Sequence, residues 1–179
     1  MRLFFKFFQV VMKLKDIDKR RYRRHLNRVF IGSALALAVL SLGIAQLLIA
    51  FFPDADGSHF HWNLLGVVLA ALLVGAGLSR LRRHPFMTEV VYVWELKQRL
   101  NKISRKRRQV EAAANEGDAT AMQVLQFCYA GSRQLWQLDD NTIVMDELAV
   151  KQTELDNLAA QHGVTLNADD YDESMLDRF

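Results

Sequence analysis

The chain has 179 residues, the length of about one domain, and a net charge of +3. Its single cysteine, Cys128, excludes an internal disulfide and a cysteine zinc cluster. Only two prolines occur, Pro53 and Pro85, each beside an apolar run, which points to an all-α protein. The small net charge conceals a split: residues 1–108 hold 20 basic and 6 acidic side chains, and residues 109–179 hold 3 and 14.

Residues 1–11, MRLFFKFFQVV, read either as a short interfacial anchor or as sequence upstream of the native start, since Met12 opens the more ordinary MKLKDIDKRRYRRHLNRV. Residues 13–28 carry eight basic side chains, among them Arg20, Arg21, Arg23, Arg24 and Arg28. A basic helix over 14–28 is expected to run straight into the apolar residues that follow. Such clusters meet either anionic lipid or nucleic acid. Here the cluster flanks an apolar run and no nucleic-acid motif accompanies it, so lipid is the expected contact and nucleic acid is not.

Val29–Phe52 contains no charged residue in 24 positions and includes fourteen Leu, Ile, Val or Phe. As a helix it is ~36 Å long, enough to cross a ~30 Å hydrocarbon core with some tilt. A secretory signal would be shorter, would start earlier and would end in a small-residue cleavage pattern. The second run, Trp62–Ser79, has 18 residues and is rich in glycine. It is ~27 Å long, near the lower limit for a span, and a buried helix of a soluble domain is the competing reading. Trp62 suits one membrane interface, and Arg80, Arg82 and Arg83 can snorkel at the other. The connecting loop, Pro53–His61, has Asp54 and Asp56 but no Lys or Arg. Basic flanks on one side and none on the other place both termini in the cytoplasm.

Small residues recur in both runs. Gly32/Ala36, Gly66/Ala70 and Ala71/Gly75 have the spacing that lets helices approach closely. They serve either to pack the hairpin on itself or to dock another membrane protein or a second copy. No ionisable residue lies inside either run, so neither an ion pathway nor a proton relay is expected. The loop holds the one cluster of metal-ligating types, His59 and His61 with Asp54 or Asp56, on no rigid frame.

From Met87 to about Asn115, Val93, Leu96, Leu100, Ile103, Val110 and Ala114 recur with helical spacing, with Arg107 in the one missing place. This seam serves either packing on later helices of the same chain or a coiled-coil dimer. Gly117 stops that helix and Asp118 caps the next, Ala119–Gln137. A third helix, Ile143–His162, ends at Gly163. The acidic tail offers Leu166, Tyr171, Met175, Leu176 and Phe179 as docking points, with a short helix from about Ala168. The expected organisation is a basic segment 1–28, a two-span membrane hairpin 29–83, a cytoplasmic module of about three helices 84–163, and an acidic tail 164–179.

No catalytic constellation stands out, and no cofactor is implied. Phosphate loops, nucleophile elbows and His-Glu-x-x-His motifs are missing. Cys128, between Phe127 and Tyr129, reads as a packed small hydrophobe with no cation near it in sequence on its own face. An enzymatic role would need a polar pocket, for instance around Tyr129, Arg133 and Asp140.

The segments MKLKDIDKRRYRRHLNRV, NLLGVVL, RRHPFM, YVWELKQRLNKI, GSRQLWQLDDNT and MDEL together resemble a domain-of-unknown-function family of small two-span inner-membrane proteins of Gram-negative bacteria. The resemblance covers nearly the whole chain from Met12. It implies a topology and no activity. Separately, AAANEGDATAMQVLQFCYAGSRQLWQLDD is similar to one Sel1-type, tetratricopeptide-like repeat. A single repeat cannot bury its faces alone. The expected function is an inner-membrane adaptor that binds a membrane or cytoplasmic protein. The alternative is a homo-oligomer built through the small-residue faces and the juxtamembrane helix.

Overall fold

The structure, a computed structural model, describes residues 13–52, 59–141 and 143–179. Its α-helices are α1 Lys19–Phe51, α2 Phe60–Leu81, α3 Thr88–Asn115, α4 Ala119–Leu138 and α5 Met145–His162. Short 3₁₀ turns occupy Pro85–Met87, Ala168–Asp170 and Glu173–Arg178, and no strand occurs among the described residues. The protein is all-α. It divides into two compact units. One is Asp18–Tyr92, and the other joins Val93–Phe179 to the segment that ends at Ile17.

In the first unit, the basic residues from Lys19 onward and the first apolar run are one helix, which starts at Lys19 rather than at residue 14 as expected. The Asp18 carboxylate caps α1 by accepting from the Arg21 amide at 2.9 Å. No Gly-Pro break interrupts the next 33 residues, ~50 Å of helix. Helix α2 runs back beside α1. At their contact only Ala45, Gly66 and Ala70 become buried. Most of the large apolar side chains on these stretches face outward: Phe30 is 73 % exposed and Leu72 65 %. A helix buried in a soluble core does not look like this. Both helices are long and apolar enough to cross a membrane. Phe52 and Trp62 stack at 5.3 Å where the two helices are joined. At the other end His84 Nδ1 accepts from the Phe86 amide at 3.2 Å, and Pro85 opens the 3₁₀ turn that leads into α3.

The second unit has its own core. Val93, Leu96, Leu100, Ile103, Val110 and Ala114 of α3 are all buried, so the seam is covered within this chain. Gly131 of α4 makes room for it. A Cβ there would stand 3.1 Å from the Leu96 methyl and 3.3 Å from the Leu100 methyl. Gly117 adopts φ 93° and ends α3, and Asp118 then caps α4 through the amides of Thr120 (2.7 Å) and Ala121 (3.0 Å). Gly163, at φ 65°, ends α5 in the same left-handed manner. The acidic tail folds back as part of this unit. Tyr171 is fully buried and stacks on Phe127 at 4.2 Å. The Gln123 side-chain amide donates to the Asn167 carbonyl and accepts from the Asn167 amide, Lys106 donates to the Leu176 carbonyl at 2.6 Å, and Lys102 pairs with Glu173. The 3₁₀ turns at Ala168 and Glu173 stand where a short helix was expected.

Candidate functional site

The small residues of the hairpin separate into two groups. Gly66 and Ala70 form the close contact. A Cβ on Gly66 would stand 2.9 Å from both the Ala45 nitrogen and the Ser41 carbonyl oxygen. Gly32 and Gly75 do not share it, since a Cβ on either meets nothing within 4 Å. Gly32 and Ala36 instead line a cavity of about 500 Å³ between α1 and α2, with Arg28 and His84 among its other walls. Sequence spacing pairs small residues along one helix. It does not say which of them meets the other helix, and the crossing point decides that.

The arginines behave unequally. Arg20, Arg23 and Arg24 on α1 are exposed, as are Arg80, Arg82 and Arg83 around the end of α2. Arg21 is exposed as well, and it forms an ion pair with a buried carboxylate. Its guanidinium pairs with Glu89 Oε1. Glu89, in the first turn of α3, keeps a side chain only 7 % exposed. Its other oxygen, Oε2, lies 3.6 Å from His25 Nδ1, and the His25 ring lies 4.1 Å from Phe86. Neither Oε2 nor that nitrogen has a hydrogen-bond partner among the described residues. Sequence reasoning missed Glu89. The available signal was an acid at a helix start, one of two in the strongly basic stretch from Arg80 to Arg108.

His59 occupies the N-cap position of α2 without a side-chain capping bond, and His61 lies in its first turn, with its ring 4.7 Å from Trp62. Asp54 and Asp56 lie outside the described residues, as do residues 1–11. Among the described residues no group of three metal-ligating side chains comes together.

The second unit carries an open groove of about 480 Å³ between α3, α4 and α5. Leu125, Leu155 and Leu158 line it together with Glu111, Tyr129, Lys151 and Glu154. Glu111 is held by Arg107 Nε at 2.7 Å. Burial, then the Glu111 charge, push the Tyr129 phenol above its ordinary value. Tyr129 is the member of the expected polar pocket that lines the groove, while Arg133 and Asp140 are not among its lining residues. Cys128 sits behind it, buried, and burial raises its thiol despite the opposing charge of Arg107 and a bond with Ser132. Arg107 is the cation that the reading along α4 lacked, and it comes from α3. A raised, buried thiol is a poor nucleophile. The groove offers charged and apolar contacts.

The protein family of unknown function DUF3087 matches residues 12–176. The chain belongs to DUF3087. No curated protein and no solved structure matches it. The DUF3087 match begins at Met12 and takes in the apolar hairpin, the groove and the docked tail as far as Leu176. The Sel1-like stretch of this DUF3087 chain forms the end of α3, the Gly117–Asp118 turn and α4.

Proposed function

We propose that this DUF3087 chain is a membrane-anchored adaptor. Helices α1 and α2 cross a bacterial inner membrane as a hairpin, with both chain ends in the cytoplasm. The groove between α3, α4 and α5 receives a protein segment that is basic and apolar. The observation that carries the anchoring is the outward apolar face of α1 and α2 between basic flanks. Anionic lipid headgroups are the natural contact of Arg20, Arg23, Arg24, Arg80, Arg82 and Arg83. The partner's chemistry follows from charge: residues 109–179 hold 14 acidic and 3 basic side chains, and Glu111 and Glu154 stand on the groove above a leucine floor.

Two measurements test this. A reporter active only outside the cytoplasm, fused near Gly57, is expected to be active, and the same reporter at the C-terminus silent. Activity at the C-terminal fusion overturns the orientation. Crosslinking from the groove in native membranes is expected to trap another protein, and Glu154→Arg is expected to abolish the product. A purified homo-oligomer that carries no other protein overturns the adaptor reading in favour of self-assembly.

A further inference from the structure

The hairpin is a wedge. Helices α1 and α2 touch where Gly66 meets Ser41 and Ala45, and they part toward the basic end. There, a Cβ on Gly32 or Gly77, both of which face the space between the helices, would meet nothing within 4 Å. The space between the helices is the cavity of about 500 Å³. Gly32, Ala36 and Leu40 wall it on α1, and Leu73 and Gly77 on α2. Its basic end carries Arg28 and His84.

We propose that this wedge holds one acyl chain of an anionic phospholipid, whose phosphate is taken by Arg28 and His84. The proposal rests on the membrane-spanning reading of α1 and α2 and goes beyond general attraction to anionic lipid. It names one lipid, one cavity and two ligating side chains.

Three observations support it. The first is depth. Arg28 and Leu40 are twelve residues apart, ~18 Å of helix, close to the ~15 Å of one leaflet of hydrocarbon. The second is chemistry. The walls are apolar, so the cavity has few partners to offer water. At the mouth, Arg28 carries a permanent charge in a fork that fits a phosphate. His84 Nδ1 already accepts from the Phe86 amide at 3.2 Å, so a neutral ring carries its proton on Nε2 and can donate it to an oxyanion. The third is size. One turn of helix with side chains fills roughly 400 Å³, so the wedge has room for about one turn and not for another span. A symmetric parallel copy on this face would also bring its own Arg28 toward the same place, at a cost in like-charge repulsion.

The test is lipid retention by the full chain. The protein is reconstituted in vesicles of equal parts phosphatidylglycerol and phosphatidylcholine, extracted gently, and weighed intact by native mass spectrometry. One phosphatidylglycerol per chain is expected. Arg28→Gln is expected to cut its retention about tenfold and to remove the preference over phosphatidylcholine, the effect of losing a charged hydrogen-bonding pair. Arg105→Gln, on an exposed position of α3 outside the cavity, is expected to change nothing. Ala36→Leu, which fills the wedge, is expected to exclude the chain. Should that variant fail to insert, Arg28→Gln still decides. Equal loss with Arg105→Gln, equal retention of the two lipids, or a lipid-free dimer overturns the proposal. Carbonate washing separates the failures. A wild-type chain that washes off the vesicles sinks the membrane reading and this proposal with it, whereas an integral chain without bound lipid sinks this proposal alone.

Discussion

Gly66 lies so close to Ala45 that a Cβ on it would stand 2.9 Å from the Ala45 backbone nitrogen. The Ser41 carbonyl oxygen is equally near, so the obstacle is main chain and cannot rotate away. The hairpin is therefore expected to be sensitive at this glycine and tolerant at others. Gly66→Val should force the helices apart and destabilise their contact by about 1–3 kcal/mol, as overpacking does elsewhere. Gly75→Val should cost much less, because its Cβ meets open space. Disulfide trapping between cysteines placed on the two helices beside the crossing would read this. Equal trapping efficiency in both variants would refute the assigned crossing point.

Glu89 brings a second expectation. Its buried carboxylate holds Arg21, and the Arg21 side chain is itself 64 % exposed, so solvent screens part of the attraction. Glu89→Gln and Arg21→Gln should each destabilise the unit by about 1 kcal/mol. Combined, they should cost clearly less than the two single effects added, because they break the same bond. A double-mutant cycle in detergent-solubilised protein measures the coupling. Strict additivity would show that the pair contributes nothing in solution.

Much of this architecture is readable along the chain. Gly117-Asp118 and Gly163 punctuate helices by local chemistry alone and stand where a stop and a cap were expected, whereas Asp18, expected inside a helix from residue 14, instead caps α1 at its start. The α3 seam is legible for the same reason, since period 3.6 reports a buried face whatever covers it. What covers a face is set by contacts distant in sequence. Arg107 beside Cys128, Glu89 beside Arg21 and Tyr171 on Phe127 each join residues that no spacing rule connects. The two hairpin faces, one closed at Gly66 and one open at Gly32, look alike in sequence because glycine leaves no mark of what faces it.

Tyr171 is expected to be worth its ring and not its hydroxyl. The ring stacks on Phe127, while the buried hydroxyl finds no partner among the described residues. Tyr171→Phe should leave stability unchanged or raise it by up to ~1 kcal/mol, because an unsatisfied polar group leaves the core. Tyr171→Ala should cost about 3–5 kcal/mol and loosen the tail. Burial also raises the phenol far above its ordinary value of 10.0, with Glu173 adding to it. The folded chain then keeps a proton that the unfolded chain gives up. That contribution is complete below 10.0 and is lost as pH rises beyond it. Urea melts on either side of that value should show an alkaline decline in the wild type that is shallower in Tyr171→Phe. The same slope in both would assign the decline to Cys128 and Tyr129, which are also raised.

The thiol of Cys128 supplies a direct reading of whether that tail is docked. Burial pushes it above its ordinary value of 9.0, and the opposing pull of Arg107 and Ser132 is the weaker effect. The reactive species is the thiolate, so both its scarcity and its lack of access slow alkylation. Native protein should therefore react with a maleimide far more slowly than a thiol on an exposed face. Tyr171 lies close enough to interact electrostatically with this sulfur. Undocking the tail should then do two things together: admit reagent and water to Cys128, and let the thiol fall back toward 9.0. Tyr171→Ala should accelerate labelling by about tenfold or more if local opening becomes easier by as little as 1.4 kcal/mol. Tyr171→Phe should leave the rate as it is, since the ring remains. Acceleration in Tyr171→Ala with the far-ultraviolet helix signal intact would locate the change in the tail rather than in the fold as a whole. An unchanged rate in Tyr171→Ala would mean that α3 and α5 alone keep reagent from the sulfur.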